Sequence, residues 1–448
     1  MKNNIFAILL TSLILVFGCK KPLDIAPTQS IDESSALKTY SDVQVALVGS
    51  YADMGDANVY GGRVYVNTEL LGNSNEISWS GTFQGLTQIF NKTIPVDNGF
   101  VTGTWLAGYK TINDVNNVLS VLNVVTSNQV SRVEGEAKFI RGTVYFDLVR
   151  LFGKAWNDGT PANNPGVPLL LTPTKSITEG SNVARSSVMQ VYDQVIKDLT
   201  EAEAKLPLSN GFFATRNAAS AMLARVYLQK GDYANALQAA NRVISSNKQS
   251  LNANYGDEFP YNPNGPIALS NTSEDIFMLQ VTATKGVNDF NTFFSSNGRG
   301  DINITNNHLS LYEAGDQRKA LFYNDGGSIY TGKFENAYGN VHVSRLAEMY
   351  LIRAESNFRL ISAVGAAPLD DINTTRNRAG LSSLLVVGLA DILQERRVEL
   401  AFEGFILHDS KRLKNNIGSL PYNSNKLVYP IPDREIRVNS SLVQNAGY

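Results

Sequence analysis

The sequence predicts a mainly α-helical fold, in which a superhelical stack of helix pairs carries large irregular loop insertions and a few short strands. Segments in which apolar residues recur at helical spacing are spread along most of the length of the chain. Two long stretches, 53–98 and 249–339, lack that period and are rich in Gly, Asn and aromatic residues. With 43% hydrophobic and 18% charged residues, the composition is typical of a soluble globular body.

Residues 216–246 carry the clearest helix-pair pattern. Gly231 can adopt the positive φ that ends a first helix, and Asp232 can cap the start of a second. The apolar stripes of the two helices are Ala219, Met222, Leu223, Val226 and Tyr227, then Tyr233, Ala236, Leu237, Ala240, Val243 and Ile244. This pattern is typical of a tetratricopeptide (TPR) pair. Since one pair cannot bury both of its faces, it requires neighbouring helices.

Helical spacing supplies those neighbours in chain order. Helices are predicted at 34–51, 103–123, 131–152, 188–206, 344–360, 369–378 and 390–405. Ser131 and Glu134 have capping-box spacing, and Ser344 can cap the helix that follows it. The expected partners of the 216–246 pair are 131–152, 188–206 and 344–360. Inside the second irregular stretch, 276–281 is predicted to include a strand.

The N-terminus has the pattern of an exported lipoprotein. The apolar run 5–17 is shorter than the ~20 residues that span a bilayer, but suits a signal peptide. Cys19, the only cysteine, directly follows Gly18, an arrangement that resembles a bacterial lipobox. We therefore expect a signal peptide at 1–18, a lipidated N-terminus and tether at 19–33, and one body at 34–448 with parts 34–246 and 247–448. The alternative is a secretory signal that happens to contain a cysteine.

The sequence predicts no catalytic residue, no metal site and no cofactor. Its three histidines lack metal-binding or triad spacing, and the net charge of −2 argues against nucleic acid. The P-loop spacing from Gly327 to Lys333 is followed by Phe334 where Ser or Thr is required. Same-helix carboxylates do not face each other across a sugar, so we interpret an acidic series near the C-terminus as a structural ion-pair network. That series is Glu395, Glu399 and Glu403.

Aromatic residues with polar neighbours in the two irregular stretches are the candidate ligand-binding residues. Sugars present C–H faces that stack on rings and hydroxyls that need polar partners. Trp79 lies in a segment without helical period, which favours ligand contact, although loop packing is the alternative. The phenylalanines of the second stretch can equally pin their loop. The candidates are Asn73, Glu76, Trp79, Phe83, Phe290, Phe293 and Arg299.

Seven segments, in order along the chain, resemble the SusD/RagB family. They are CKKPLDIAPTQSI, EGEAKFIRGTVYFDLVRLFG, AASAMLARVYLQKGDYANALQAANRVI, RLAEMYLIRAESNFRL, NTTRNRAGL, ILQERRVELAFEG and YPIPDREIRVNSSLVQNAGY. The resemblance implies a TPR-like helical scaffold with an irregular ligand-binding surface. Family members are outer-membrane lipoproteins of Bacteroidetes that cap a TonB-dependent transporter and help deliver glycans or, in some members, peptides.

The resemblance therefore implies a surface-exposed protein, lipid-anchored in the cell outer membrane, without enzymatic activity. Its expected partners are a SusC-like TonB-dependent transporter and an oligosaccharide or peptide ligand. Two other classes stay open at this stage. They are a membrane-anchored glycoside hydrolase and a TPR scaffold for protein assembly.

Overall fold

Paired helices form the body of the protein, as predicted. The computed structural model describes residues 37–175, 182–261, 271–282, 284 and 286–448. The segment Thr39–Tyr448 is one compact unit. The predicted signal peptide, Cys19 and most of the tether lie outside the described residues.

The helices and strands of the described residues are as follows. The α-helices are α1 Tyr40–Met54, α2 Arg63–Gly72, α3 Gln84–Phe90, α4 Gly99–Ser120, α5 Val130–Phe152, α6 Val188–Lys205, α7 Arg216–Lys230, α8 Tyr233–Ser245, α9 Asp289–Phe294, α10 Asn306–Leu309, α11 Leu346–Leu360, α12 Pro368–Arg378, α13 Leu389–Glu399, α14 Ile406–Arg412 and α15 Asp433–Val438. The strands are β1 Ile77–Trp79, β2 Asp275–Leu279, β3 Ile302–Ile304, β4 Phe322–Asp325, β5 Ser328–Thr331 and β6 Val341–Arg345.

The predicted helix pair is confirmed as α7 and α8. Gly231 has φ of 72° and ends α7, and the Asp232 side chain accepts from the backbone N–H of Asn235 at 3.2 Å. Helix α7 packs on α6, α6 packs on α5, and α8 packs on α11. The three predicted partner helices therefore surround the pair.

Two predicted caps are wrong. Helix α5 begins at Val130 without a side-chain cap, and Glu134 forms an ion pair with Lys205 at 2.9 Å instead. Ser344 lies in β6, because that strand runs directly into α11. Ser344 pairs with Phe277 of β2, so it belongs to a strand and does not cap the helix as local spacing predicted.

The prediction that 53–98 has little regular structure is also wrong. It contains α2, β1 and α3. Nine of the ten residues of α2 are buried, including Asn67 and Glu69. A helix covered on all sides needs no apolar stripe, so its sequence shows no helical period.

Three two-stranded antiparallel sheets order the irregular stretches. Strand β1 pairs with β3, with Trp79 opposite Ile302, and so joins the two stretches. Strand β2, predicted at 276–281, pairs with β6. Strands β4 and β5 form a hairpin whose turn is Gly326-Gly327.

A buried ionic network joins the second irregular stretch to the C-terminal helices, as the acidic series predicted. Arg345 donates to Glu274 and Glu399, both at 2.7 Å, and to Glu403 at 2.8 Å. Helix α13 ends at Glu399 rather than at 405, and Phe402 in the following turn has φ of 66°. This turn brings Glu403 back to Arg345. The other cations of the network are Arg318, Lys333 and Arg378.

The cations hold Glu399 and Glu403 in their charged form. Burial alone would raise the pKa of Glu403, but Arg345 and Lys333 outweigh it and bring the pKa to about 2. The pKa of Glu399 is likewise lowered, because three guanidinium groups offset its burial. Both carboxylates are therefore paired with cations at buried positions, where an unpaired charge would strongly destabilise the fold.

We predict that Glu399→Gln lowers the free energy of unfolding by ~3–5 kcal/mol at pH 7, because buried guanidinium groups lose their counter-charge. Urea unfolding followed by circular dichroism measures this. The control is Arg437→Gln, which removes an ion pair whose arginine side chain is 75% exposed and should cost at most ~1 kcal/mol.

Stability should also depend on pH in a defined direction. A carboxyl group with a lowered folded-state pKa stabilises the protein above its unfolded pKa of ~4.3, and this contribution is lost as pH falls towards 2. The difference between wild type and Glu399→Gln should therefore shrink over this interval. A difference that stays constant from pH 7 to pH 3 would contradict the assignment.

Candidate functional site

The two groups of candidate residues meet at the segment 295–301. Pairing of β1 with β3 places Trp79 beside this segment. Arg299, within the segment, reaches the loop that follows β1 through a hydrogen bond to Thr82 Oγ1 at 3.2 Å. Residues more than 200 positions apart in sequence thus share one surface.

A hydrogen bond and ring packing fix the position of the Trp79 side chain at the edge of the surface that β1 shares with the segment 295–301. Its indole N–H donates to Thr87 Oγ1 at 2.8 Å, and its ring centroid lies 6.1 Å from that of Phe293. The indole lies against Gly81, where a Cβ atom would collide with it. Trp79 is half-buried and lies on a strand, so the prediction that it belongs to a loop without regular structure was wrong.

Phe83 and Arg299 form the most exposed part of the surface. The Phe83 side chain is 40% exposed, and the Arg299 guanidinium lies 4.5 Å from its ring centroid. Arg299 Nε donates to Asp301 Oδ2 at 2.7 Å, which fixes the guanidinium plane. The edge of Phe100 packs against Phe83 at 5.8 Å. A stacked guanidinium leaves both an apolar face and N–H donors available to a ligand.

The β4–β5 hairpin adds two tyrosines that sequence reasoning missed. Tyr323 and Tyr330 face each other across the hairpin with ring centroids 5.7 Å apart. The Tyr323 hydroxyl accepts from the backbone N–H of Ser296 at 3.2 Å, and the Tyr330 ring lies against Gly300. Short runs that contain aromatic and β-branched residues on either side of two glycines would have predicted this hairpin. We call Trp79, Phe83, Tyr323, Tyr330 and Arg299 the aromatic surface.

Asn73 and Glu76 are buried behind the aromatic surface. Asn73 Oδ1 accepts from the backbone N–H groups of Glu76 and Ile77, at 2.9 and 3.1 Å. Glu76 pairs with Arg397, and its other oxygen lies 2.7 Å from His308 Nδ1. Burial lowers the pKa of His308 to about 3, so the neutral ring donates to Glu76. In this structure both residues hold their loop in place.

Phe290 and Phe293 are also buried. Phe290 stacks on Phe334 at 4.4 Å and on Tyr65 at 5.6 Å. Phe293 lies under both Trp79 and Phe83. The structure therefore assigns these rings to the support of the aromatic surface, which is the loop-pinning alternative.

A cavity of about 200 Å³ lies behind the loop that contains Glu76. Phe405 and Ile406 form part of its apolar wall, and Glu69 and Arg397 part of its polar wall. Burial raises the pKa of Glu69 to about 7, although the backbone N–H of Gly404 donates to it at 2.7 Å. Its neighbour Glu76 is already paired with Arg397, so this polar wall is largely satisfied within the protein.

The aromatic surface lacks the geometry of a glycoside hydrolase in the part of the chain that the structure describes. Such enzymes place two carboxyl groups on either side of the scissile bond. Here Asp301 is paired with Arg299, and the buried Glu335 accepts from Tyr323. Both carboxylates are thus engaged within the protein.

Comparisons with known proteins agree with this architecture. A family model described as starch-binding and associating with the outer membrane matches residues 23–228, and a model of the SusD family matches residues 318–420. The protein belongs to the SusD/RagB family, which is a family of carbohydrate-binding proteins.

Individual relatives match along almost the whole chain. SusD-like protein P2 of Formosa agariphila is 26% identical, with 99% of each chain covered. A solved SusD superfamily protein from Bacteroides thetaiotaomicron is 25% identical with a TM-score of 0.80, covering 91% of this chain and 99% of that one. A solved structure described as a laminarin-binding SusD-like protein is 23% identical with a TM-score of 0.73, covering 92% of this chain and 100% of that one.

We predict that Gly81→Ala displaces the Trp79 indole, because the new Cβ atom would overlap its six-membered ring. Loss of the Thr87 hydrogen bond should shift Trp79 fluorescence to the red and increase its quenching by acrylamide. Subtracting the spectrum of Trp79→Phe isolates this signal from that of the other tryptophans. Gly99→Ala is the control, since its Cβ atom would meet nothing within 4 Å. An unchanged Trp79 spectrum in Gly81→Ala would contradict the described packing.

Proposed function

We propose that this protein is a cell-surface lipoprotein that binds an oligomeric glycan on its aromatic surface and gates its import through a partner SusC-like TonB-dependent transporter. The observation that carries the proposal is the exposed Phe83 ring, stacked with Arg299 beside Trp79. Membership in a carbohydrate-binding family supports the same ligand class. The role is recognition and delivery, with no bond broken.

The chemistry of the aromatic surface suits a sugar chain. Ring faces accept the C–H faces of a pyranose, and polar groups around them can bind its hydroxyls. The exposed polar side chains next to the rings include Thr82, Asn297 and Arg299. Affinities between millimolar and micromolar, ~-4 to -8 kcal/mol, suffice for a site that must release its ligand to a transporter.

A glucan is the first ligand class to test. The fold is shared with a protein described as laminarin-binding, and one matching family model is described as starch-binding. Laminarin and starch oligosaccharides are therefore the first probes. A peptide ligand is the alternative, which the same assay can identify.

Membrane attachment is proposed to depend on Cys19. No helix among the described residues is long and apolar enough to cross a membrane. The lipobox-like sequence at Gly18 and Cys19 offers an anchor that needs no spanning helix, since two or more acyl chains hold a protein on a membrane durably. The acylated protein would then lie beside its transporter.

We predict that Trp79→Ala and Phe83→Ala each weaken glycan binding at least tenfold, because each removes a stacking face of the aromatic surface. Isothermal titration calorimetry with laminarin and starch oligosaccharides measures this. Phe212→Ala is the matched control, because Phe212 is 57% exposed and lies outside the aromatic surface. Unchanged binding in both variants would contradict the assignment of the aromatic surface as the glycan-binding site. Binding of peptides but of no glycan would replace the ligand class.

Cell fractionation and co-purification test the anchor and the partner separately. Wild-type protein should fractionate with the outer membrane and co-purify with a large barrel protein after detergent extraction. Cys19→Ala should be recovered in the soluble periplasmic fraction, with unchanged glycan affinity. Wild-type protein that is soluble and carries no acyl chain by mass spectrometry would overturn the anchor. An anchored protein without a barrel partner would overturn the transporter role alone.

A further inference from the structure

Three side chains of the types that bind metal ions converge outside the aromatic surface, two of them from the second irregular stretch and one from just after it. Glu258 ends a short 3₁₀ turn, Asp275 is the first residue of β2, and His342 lies on β6. His342 Nδ1 lies 3.1 Å from Asp275 Oδ1 and 3.2 Å from Glu258 Oε1. The three atoms all lie within 4.8 Å of one another.

These atoms are close without being hydrogen-bonded. Glu258 Oε1, Asp275 Oδ1 and His342 Nδ1 are each buried and each lack a partner with hydrogen-bond geometry. The side chains of Glu258 and Asp275 are fully buried. Unsatisfied buried polar atoms are rare and require an explanation, and an ion bound between the three would satisfy all of them.

The remaining carboxylate oxygens are firmly held. Glu258 Oε2 accepts from Asn252 Nδ2 at 2.6 Å and from Thr272 Oγ1 at 2.5 Å. Asp275 Oδ2 accepts from the backbone N–H of Thr272 at 2.6 Å. Each carboxylate is thus oriented by one oxygen so that the other points into the cluster. Outer groups of this kind orient the ligands of metal sites in proteins.

The space and the spacing identify the kind of ion. A cavity of about 40 Å³ is lined by all three residues, which is room for an ion with a water molecule. Bonds of ~2.0–2.1 Å in a tetrahedron place neighbouring ligands ~3.3 Å apart, close to the separations from His342. Calcium needs six to eight oxygen ligands at ~2.3–2.6 Å, which this imidazole-containing set does not supply.

We propose that Glu258, Asp275 and His342 bind a divalent transition-metal ion, zinc first, with water as the fourth ligand. Imidazole together with carboxylates suits zinc among the common metals. The ion would tie the 3₁₀ turn to the β2–β6 sheet, directly beside Arg345 of the ionic network. Phe259 packs on the His342 ring at 5.4 Å and helps to close the site. Because the site is closed in this way, we assign the ion a structural role.

The competing arrangement is an ion pair without metal. Burial lowers the pKa of His342, but Asp275 and Glu258 outweigh it and raise the pKa to about 10. A protonated His342 can therefore neutralise part of the cluster in the metal-free protein. Metal binding would displace that proton and convert the ring to a ligand.

The test is zinc binding by full-length protein purified without a histidine tag and stripped with a chelator. We expect one equivalent of zinc per chain by mass spectrometry of the metal, a higher Tm on zinc addition, and a first shell of N and O atoms at ~2.0–2.1 Å by X-ray absorption. His342→Gln and Asp275→Asn should each lose the bound zinc. Thr272→Val should weaken binding ~10–100-fold, because it removes one of the two donors that orient Glu258 Oε2.

Asp257→Asn is the matched control, since Asp257 is exposed and precedes Glu258 without joining the cluster. It should retain one equivalent of zinc. No stoichiometric zinc on wild-type protein would overturn the proposal and leave the ion pair. Equal zinc uptake by wild type and His342→Gln would overturn it too, by placing the metal elsewhere. Circular dichroism of each variant shows that it is folded.

Discussion

The buried ionic network is the constraint on which the arrangement of the chain depends. Arg345 is the last residue of β6 and immediately precedes α11, so its side chain lies where the irregular stretch becomes helical scaffold. It binds Glu274 before β2, Glu399 at the end of α13, and Glu403 after the turn that follows α13. A slip of one residue in any of these segments would leave several charges buried and unpaired. Leaving a buried charge unpaired strongly destabilises a fold. The network therefore favours one register of β2, β6 and the end of α13 relative to one another.

The network positions the aromatic surface through a continuous layer of rings. Lys333 binds Glu403, and the next residue, Phe334, stacks on Phe290. Helix α9 then carries Phe293 beneath Trp79 and Phe83. The rings of Trp79 and Phe83 therefore rest on buried rings of the insertion, and Phe334 in that layer directly follows the paired Lys333. A preformed platform of this kind loses little conformational entropy when a ligand binds.

Helical period predicted the scaffold well because most of its helices bury one face and expose the other. It failed at α2, where every face is covered and the stripe disappears. Local cap spacing failed at Ser344, because strand pairing with β2 claimed that position. For the candidate site, residue type and neighbours predicted Trp79, Phe83 and Arg299 as ligand-binding residues, and the structure brings them together on one surface. Their meeting depends on the β1–β3 pairing, which joins segments too far apart in sequence for local rules. Burial of Phe290 and Phe293 is likewise a tertiary property.

The β4–β5 hairpin ends in exposed glycines, Gly326 and Gly327, and contributes tyrosines to the surface without contributing to the ionic network. Changes in its length or sequence would therefore alter the outline of the surface while the charged core stays intact. The same holds for the turn between β1 and α3, which carries Phe83. Under the proposed function, ligand preference can thus diversify at two short, separable segments. Substitutions in these segments can change the ligand that is recognised while the residues that determine the fold stay the same.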